Sequence, residues 1–437
     1  MNVAVAKTTT GATLDGTFAA ARGRLPGAGP VTETRQRAFD TFAVNGLPTR
    51  RVEEWKYTDL RALMRDAKPL AGPPNAAAKQ RAKNAGGLLA GIDSRRLLFV
   101  DGAFVPELSD LTPEAGLDIA SLAAALARGD ALVTAHVGKV IDTGDAAVAL
   151  NTALMGDGAV IRVAAGTALK RPIHLIFAMS NDQPAATFTR SLVVIEKDAR
   201  VSLFESHEGG AETQSNTALE LVVGDGAQVD HLKITSTGAG LHISSLMAAI
   251  GSHCKFDSFA FTTGSAVVRN QLFVRFDGEG TKAGIRGATL LKGREHVDAT
   301  LVLDHAAGGC ESREVFKSVL DGESRGVFQG KIIVRPHAQK SDGKMMTQAL
   351  LLSATAEADN KPELEIFADD VQCGHGATAG ALDDDLKFYL MARGIPGQEA
   401  EALLIQAFVG EAIEAIAHEG VKEALMNAAI GWLKTRS

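Results

Sequence analysis

Five related segments recur at a nearly constant interval: EKDARV (196–201), GDGAQV (224–229), GSHCKF (251–256), GEGTKA (278–283) and AGGCES (307–312). The first apolar or small residue after each turn is, in order, Val201, Val229, Phe256, Ala283 and Ser312, so the spacings along the chain are 28, 27, 27 and 29. A steady period in this range, without intervening helices, is typical of stacked β coils. The repeat therefore predicts a mainly β chain, folded as a right-handed parallel β-helix in which each turn stacks on the previous one.

An antiparallel sandwich is the alternative fold, because it also joins many short strands by turns. The repeats contain no Asn-Gly pair, which is the usual signal of a tight hairpin between antiparallel strands. The spacing of the turns is also steadier than a Greek key requires. Both observations favour the solenoid.

Two of the three cysteines, Cys254 and Cys310, lie inside the repeat, at equivalent turn positions two coils apart. Strands that stack at about 4.8 Å would place them roughly 10 Å from each other. This distance is too long for a disulfide or a shared metal ion, so we expect both to be structural thiols.

The composition places the protein among soluble globular chains. Of 437 residues, 46% are hydrophobic and 22% are charged, and no apolar stretch is long enough to span a membrane. The net charge of −7 argues against nonspecific nucleic-acid binding, which depends on Lys and Arg. Few cysteines and no secretory signal at the start of the chain predict a cytoplasmic protein.

Helical patterns flank the repeat, and they define three predicted regions: an N-terminal helical region (1–92), the β-helix core (93–379) and a C-terminal helical domain (380–437). The segment from Met1 to about Pro30 shows little periodicity, so we expect the start of the chain to fray. A helix is predicted from Val31 to Val44, and Thr58 or Asp59 can cap a short helix that follows. The segment 69–87 is rich in Pro and Ala and predicts a surface connection.

The C-terminal domain is predicted to contain three helices. Asp383 or Asp384 can cap the first one, a second is expected from Gln398 to Glu419 with Gly420 as its end, and a last helix follows. Their apolar stripes indicate a small bundle or a face packed on the β-helix. Apolar residues that remain exposed would instead dock a partner, and our candidates are Leu386, Tyr389, Leu404, Phe408 and Trp432.

The segment PELEIFADDVQCGHGATAG (362–380) contains the residues best suited to bind a soft or borderline metal. Cys373 and His375 are two positions apart, so they would point to the same side of a strand. A thiolate beside an imidazole suits Fe, Zn or Cu. A lone C-x-H motif is weak, however, because a metal site needs three or four ligands. Three glycines in the segment would allow its backbone to bend.

Two long motifs resemble one known family. The run GKIIVRPHAQKSDGKMMTQALLLS (330–353) followed by NKPELEIFADDVQCGHGATAG (360–380) resembles the C-terminal signature of the SufB/SufD family, which assembles iron–sulfur clusters. GLPTRRVEEWKYTDL (46–60) resembles the N-terminal signature of its SufD branch. The resemblance implies a parallel β-helix, independently of the spacing of the repeats.

The same resemblance implies partners and a site. It implies a subunit that pairs with the homologous SufB through the β-helices and docks the ATPase SufC on the C-terminal helices. His375 matches the family's motif histidine, which implies an iron or cluster ligand at the subunit interface, with Cys373 as its weaker companion. We expect this chain alone to bind no cofactor stably, and iron or a nascent cluster to be held there only transiently.

Some expected features are not found in the sequence. No G-x-x-x-x-G-K-[ST] phosphate loop occurs, so the chain is expected to be an accessory subunit and not the ATPase. The SufB branch is expected to carry a further nucleophilic cysteine and more polar residues inside its coils, and we identify no equivalent. Six other histidines occur singly, and we expect each to be hydrogen-bonded or exposed: His174, His207, His231, His253, His305 and His337.

Two other functions remain open at this point. A β-helix enzyme acting on polysaccharide would need aromatic platforms for sugar rings, and the whole chain has only 2 Trp and 2 Tyr. A purely structural assembly protein would give His375 no metal role. A parallel sheet edge without its heterologous partner commonly pairs with a copy of itself, so we also predict a homodimer when the chain is isolated.

Overall fold

The repeat forms a parallel β-solenoid of about eight turns, and most turns contribute one strand to each of two facing sheets. The structure is a computed structural model that describes residues 9–180, 182–210 and 212–435. The predicted fraying of the chain's start falls partly on residues 1–8, which lie outside the described residues.

The first sheet contains ten strands: β1 (Arg95–Val100), β2 (Ala103–Phe104), β5 (Ile173–Met179), β7 (Arg200–Gly209), β9 (Gln228–Ser236), β11 (Lys255–Thr263), β13 (Lys282–Leu291), β15 (Glu311–Leu320), β17 (Asp342–Leu351) and β19 (Gln372–Gly380). The second sheet contains nine strands: β3 (Leu117–Ser121), β4 (Ala159–Val163), β6 (Ala186–Ile195), β8 (Gln214–Val223), β10 (Gly238–Ile250), β12 (Ser265–Phe276), β14 (His296–His305), β16 (Arg325–Val334) and β18 (Glu357–Ile366).

Parallel pairing dominates both sheets, and only β1–β2 and β3–β4 are antiparallel among the described strands. The antiparallel sandwich is therefore excluded. The register also agrees with the sequence repeat, because the five aligned residues are direct ladder partners: Val201, Val229, Phe256, Ala283 and Ser312. The turn residues thus fix which side chains enter the interior of every coil.

The interior between the sheets is apolar along most of its length. Its buried side chains include Leu97, Leu203, Val229, Phe256, Ile285, Leu301 and Ile332. Each fully buried side chain of this type stabilises the fold by about 1.5–3 kcal/mol. The stacked apolar columns therefore hold successive turns together.

Both repeat cysteines are buried structural thiols, as the spacing predicted. Cys254 and Cys310 are free, and Thr281 occupies the equivalent position in the coil between them. Each sulfur lies near a backbone carbonyl of the preceding coil, at 3.2 Å for Cys254 and 3.4 Å for Cys310. Burial raises the pKa of both thiols, which keeps them protonated and unreactive.

Helices cover the outer faces of both sheets. The N-terminal and linking helices are α1 (Thr9–Ala21), α2 (Pro30–Asn45), α3 (Leu60–Leu63), α4 (Ala76–Ala82), α5 (Leu122–Ala127), α6 (Ala131–His136) and α7 (Ala146–Leu154). The C-terminal helices are α8 (Asp384–Met391), α9 (Gly397–Ile413) and α10 (Glu419–Lys434). Short 3₁₀ turns occur at Glu53–Trp55, Gly87–Leu89 and Pro106–Leu108.

Several predicted helix boundaries are confirmed. α2 ends at Gly46, whose φ of 65° suits glycine, and the Asp59 side chain accepts a hydrogen bond from the Ala62 amide at the start of α3. Asp383 caps α8 in the same way.

Three predictions about the helices are wrong. The segment before Pro30 contains α1, because Leu14, Phe18 and Ala21 form an apolar stripe, and Phe18 stacks on Phe39 at 4.1 Å. The segment 69–87 contains α4 and not only a connection. The second C-terminal helix ends at Ile413, and Gly420 belongs to the first turn of α10, which His418 caps.

None of the helices in the described residues is long and apolar enough to cross a membrane.

Candidate functional site

The terminal coil of the solenoid carries both predicted metal ligands. β19 pairs with β17 on one side only, and in this ladder Cys373 lies opposite Gly343 and His375 opposite Met345. Because Met345 belongs to the buried interior, the two side chains lie on the interior-facing side of β19. No further turn covers them within the described residues. Cys373 is half-buried and His375 is exposed.

The Cys373 thiol is not activated in the isolated chain. Burial, followed by the nearby carboxylates of Asp342 and Glu314, raises its pKa. The thiol is therefore protonated at neutral pH, and it must lose its proton to serve as a thiolate ligand.

The glycines beside these residues do not bend the strand as we expected. Gly374, Gly376 and Gly380 belong to the regular strand β19, and none has a positive φ. Their effect is on the outer surface of the strand. A methyl group added at Gly374 or Gly380 would meet no atom within 4 Å, whereas one at Gly376 would meet the Met346 side chain at 2.7 Å, so only part of this surface is bare backbone.

The donor set of the terminal coil is incomplete as a metal site. In the part of the chain that the structure describes, no group of three or more His, Cys, Asp or Glu side chains could hold a metal ion. Asp370, the other polar candidate nearby, forms an exposed ion pair with Lys340 and belongs to a solvated strand end. At the terminal coil, this chain therefore offers a metal ion the imidazole of His375 and the thiol of Cys373.

Two buried polar groups lie behind the terminal coil, and one of them, Glu314, was missed in the sequence. Glu314 lies in the same interior column as Met345 and His375, is fully buried, and has no hydrogen-bond partner for either carboxylate oxygen among the described residues. Burial raises its pKa to about 8. His305, which is also buried, contacts the Ser312 hydroxyl at 3.0 Å.

We identified no polar residues inside the coils from the sequence, but the structure contains a cluster of them. Three successive turns enclose a cluster of interior side chains that we call the polar layer: Glu205, His207, His231, Lys233, His242, Ser244 and Asn270. His231 contacts Glu205 at 2.9 Å and Ser258 at 2.9 Å, and Lys233 donates to Ser244 and Asn270. Burial lowers the pKa of His207 and His242, so both imidazoles are neutral.

The signal for the polar layer was present in the sequence. Counting by twos from Val201 gives Glu205 and His207, and counting from Val229 gives His231 and Lys233. These positions share the interior parity of the repeat. The expectation that each histidine is hydrogen-bonded or exposed is wrong for His207, which is buried and has no hydrogen bond at either ring nitrogen among the described residues. The expectation is confirmed for three others: His174 contacts Ser206, His337 contacts a backbone carbonyl and His253 is exposed.

Residues of the N-terminal signature attach the N-terminal region to the second sheet, and we call this set of contacts the clamp. Trp55 is buried under the Arg269 guanidinium, whose carbon lies 3.9 Å from the centre of the indole ring. Arg269 forms a fully buried ion pair with Asp298, and Thr58 donates to the same carboxylate at 2.6 Å. The indole N–H donates to Asp145 at 2.9 Å. This part of the motif therefore holds the N-terminal region on the solenoid.

The C-terminal helices divide into a packed part and an exposed part. Ile405, Val409 and Trp432 pack with Leu232 and Phe259 on the outer face of the first sheet. α8 buries none of its residues, and its large apolar side chains are exposed: Leu386 by 51%, Phe388 by 72%, Tyr389 by 53% and Met391 by 46%.

The five predicted docking residues are therefore not equivalent. Leu386 and Tyr389 are exposed, Leu404 and Phe408 are half-buried, and Trp432 is only 6% exposed. The Phe408 ring also lies under the Lys317 ammonium, 4.4 Å from its centre. An interaction with a partner would be carried mainly by α8.

Two family descriptions match the chain across most of its length. "SUF system FeS cluster assembly, SufBD core domain" matches residues 177–408, and "SufBD protein N-terminal region" matches residues 27–175. The chain belongs to the SufB/SufD family. The match covers the solenoid, the clamp and the terminal coil.

Individual relatives agree with this assignment. An iron–sulfur cluster assembly SufBD family protein of Synechocystis sp. is 33% identical over 405 residues, which cover 88% of this chain and 87% of the relative. The iron–sulfur cluster assembly protein SufD of Escherichia coli is 31% identical over 404 residues, or 90% of each chain. SufD of Bacillus subtilis is 26% identical over 285 residues, which cover 64% of this chain and 65% of the relative.

The chain is accordingly a SufD-type iron–sulfur cluster assembly protein of the SUF system. The polysaccharide alternative has no support, because both tryptophans, Trp55 and Trp432, are buried and form no platform for a sugar ring.

Proposed function

We propose that this chain is a scaffold subunit of the SufBCD complex, without ATPase activity of its own. In this proposal its terminal coil pairs with SufB, its C-terminal helices dock the SufC ATPase, and His375 helps to hold iron or a nascent cluster at the SufB interface. Iron and the cluster are cargo of the complex and are not a resident cofactor of this chain.

The uncovered terminal coil is the observation that carries this proposal. β18 and β19 have strand neighbours on one side only, so their backbone groups are available to pair with another β-helix. The same coil presents His375 to solvent and Cys373 at half burial. A partner chain seated on this end would therefore bring its own donors next to these two.

The chemistry of the two residues supports unequal roles. A neutral imidazole can bind Fe²⁺ directly, whereas the Cys373 thiol must first lose a proton that burial helps it to keep. A tetrahedral centre needs four ligands, so at least two would come from the partner or from the cargo itself. His375 is therefore the stronger ligand in this proposal and Cys373 the weaker one.

The test is a comparison of three variants in the complete complex. His375→Ala should leave the complex assembled and its ATP turnover intact, while cluster formation fails, because an exposed ligand is removed and no core side chain is lost. Cys373→Ala should be milder. His337→Ala is the matched control, since it removes another exposed imidazole near the same end.

Normal cluster formation by the His375→Ala complex would refute the ligand assignment and would leave a purely structural role for this chain. Failure of His337→Ala as well would show that the effect is not specific to His375.

The docking proposal depends on the exposed apolar face of α8. Leu386→Asp combined with Tyr389→Ser should reduce co-purification with SufC, because both side chains are about half exposed and contribute little to the fold. Leu111→Asp changes a similarly exposed leucine (44%) in the N-terminal half and serves as the control. Point variants are preferable to deleting the helices, since α9 and α10 cover apolar side chains of the solenoid. Undiminished SufC binding by the double variant would contradict docking on α8.

A further inference from the structure

The polar layer is an unusual feature of the solenoid interior, because it places charged and hydrogen-bonding groups where the coils on either side carry apolar side chains. Burying a polar side chain costs free energy unless it is hydrogen-bonded. Much of the layer is hydrogen-bonded, through the contacts of His231 and Lys233 described above. His242 also contacts the Ser215 hydroxyl, at 2.8 Å.

Other groups of the layer and its surroundings have no hydrogen-bond partner among the described residues, and the nearest contact of His207 Nε2 with a charged group is a Glu205 oxygen at 3.4 Å. Both ring nitrogens of His207, Nε2 of His242 and the hydroxyls of Thr189 and Thr235 are buried without a hydrogen bond. They account for five of the twelve such side-chain atoms in that part of the chain, and they occupy neighbouring interior positions. Buried polar atoms that lack a protein partner usually bind ordered water or an ion.

Two small cavities lie in the polar layer, and the first of them is lined by three of these residues. One has a volume of about 20 Å³, and its lining includes His207, His242 and Thr189. The second has the same volume and is lined by Glu205, His231 and Lys233, with hydroxyl and amide groups from the second sheet. A polar cavity needs about 10–15 Å³ to hold one water molecule. Each cavity is therefore large enough for one water and too small for an organic ligand.

The chemistry of the walls favours water over a metal ion. A neutral imidazole has one donor and one acceptor nitrogen, and a water molecule can satisfy both kinds. Three or more donors arranged for a metal ion do not occur in the described residues. Lys233, with its cationic ammonium on the wall of the second cavity, would also repel a metal cation.

We propose that the polar layer binds two internal water molecules, one beside the pair His207–His242 and one beside Lys233. The first water bridges the two imidazoles, whose ring centres are 4.8 Å apart. His207 in turn lies 3.4 Å from a Glu205 oxygen, and the other oxygen contacts His231. The waters thus join the two sheets through one hydrogen-bonded network inside the core.

This network couples the tautomers of its imidazoles. The titratable groups that face one another are Glu205, His207, His231, Lys233 and His242. When one imidazole changes its tautomer, the hydrogen bonds of its neighbours must change as well. His174 lies outside this network and contacts Ser206 instead.

Crystal structures of the wild-type chain and two variants test the proposal. His207→Phe preserves a flat ring that can stack on Phe177, as the imidazole does at 4.9 Å, but it removes both ring nitrogens. Lys233→Met keeps a long side chain without the ammonium. We expect one solvent peak in each wild-type cavity, loss of the first peak in His207→Phe, and loss of the second peak in Lys233→Met.

An empty cavity in the wild-type map, at a resolution where other internal waters are visible, would overturn the proposal. So would a solvent peak that persists beside residue 207 in the phenylalanine variant. The wild-type map decides the question even if neither variant folds.

Discussion

Replacing Asp298 with alanine should strongly weaken the attachment of the N-terminal region to the solenoid. Asp298 and Arg269 form an ion pair in which both side chains are fully buried. The same carboxylate accepts hydrogen bonds from Thr58 at 2.6 Å and from Gln329 at 3.2 Å. Removing it leaves the Arg269 guanidinium buried between the second sheet and Trp55 without its counter-charge.

The magnitude follows from this geometry. Loss of one partner of a buried ion pair costs about 3–5 kcal/mol, because the remaining charge stays out of water. Arg269 keeps its hydrogen bond to the Glu54 carbonyl at 2.6 Å, which cannot replace the lost charge. A double variant, Asp298→Ala with Arg269→Met, removes both charges and should recover part of the loss.

Urea unfolding followed by tryptophan fluorescence measures this effect, since Trp55 lies directly against Arg269. Asp304→Ala is the control: its ion pair with Arg335 lies at the surface, where such pairs contribute about 0–1 kcal/mol. If Asp298→Ala lowered the free energy of unfolding by less than about 1 kcal/mol, as we expect of the control, the role of the clamp would be refuted.

Three further predictions follow from the buried titratable groups and the free sheet edges. Burial lowers the pKa of His305 to about 4, so on acidification the unfolded chain binds a proton at this histidine before the folded chain does. The free energy of unfolding should therefore fall by about 1.4 kcal/mol for each pH unit below pH 6.5. In urea unfolding, the free energy of unfolding of His305→Asn should depend less on pH between pH 6.5 and 4 than that of the wild type. An unchanged pH dependence would contradict the prediction. Burial raises the pKa of Glu314 to about 8, so the folded chain holds this proton more tightly than the unfolded chain does. The resulting contribution to stability is fully present below about pH 4.5 and is lost as the pH rises to about 8. Glu314→Gln should gain stability over the wild type across that interval, and parallel pH profiles of the two chains would disprove this. The isolated chain should be a homodimer through the unpaired edges of β18 and β19; light scattering that gives a monomer at micromolar concentration would contradict this.

The fold could be predicted because its main determinant is local and repeated. Turn residues that recur once in every coil set the register, so the same five residues that align in the sequence also pair in the sheet. Helix ends with a side-chain cap, such as Asp59 and Asp383, were predictable for the same reason. α1 was missed because its stripe depends on only three apolar side chains among Gly, Ala and Thr.

The clamp could not be predicted from the sequence in the same way. Thr58 and Asp298 are 240 positions apart, and no local pattern connects them. Their contact depends on how the N-terminal region folds back over the second sheet, which the spacing of the coils does not determine. The exposure of α8 and the burial of Trp432 depend in the same way on the docking of the C-terminal helices.

The position of His375 in the stack supports the proposal that this histidine, and not one from a middle coil, binds cargo between subunits. An interior side chain in a solenoid is covered by the turns before and after it, as His207 and His231 are in the polar layer. The last turn leaves its interior-facing donors uncovered, and in this chain those donors are Cys373 and His375. An interior-facing histidine in a middle coil could meet a partner only if the coils separated, which would expose an apolar core whose side chains each contribute about 1.5–3 kcal/mol. A ligand shared between two β-helices therefore has to lie at an end of the stack, where it can be added without breaking a turn.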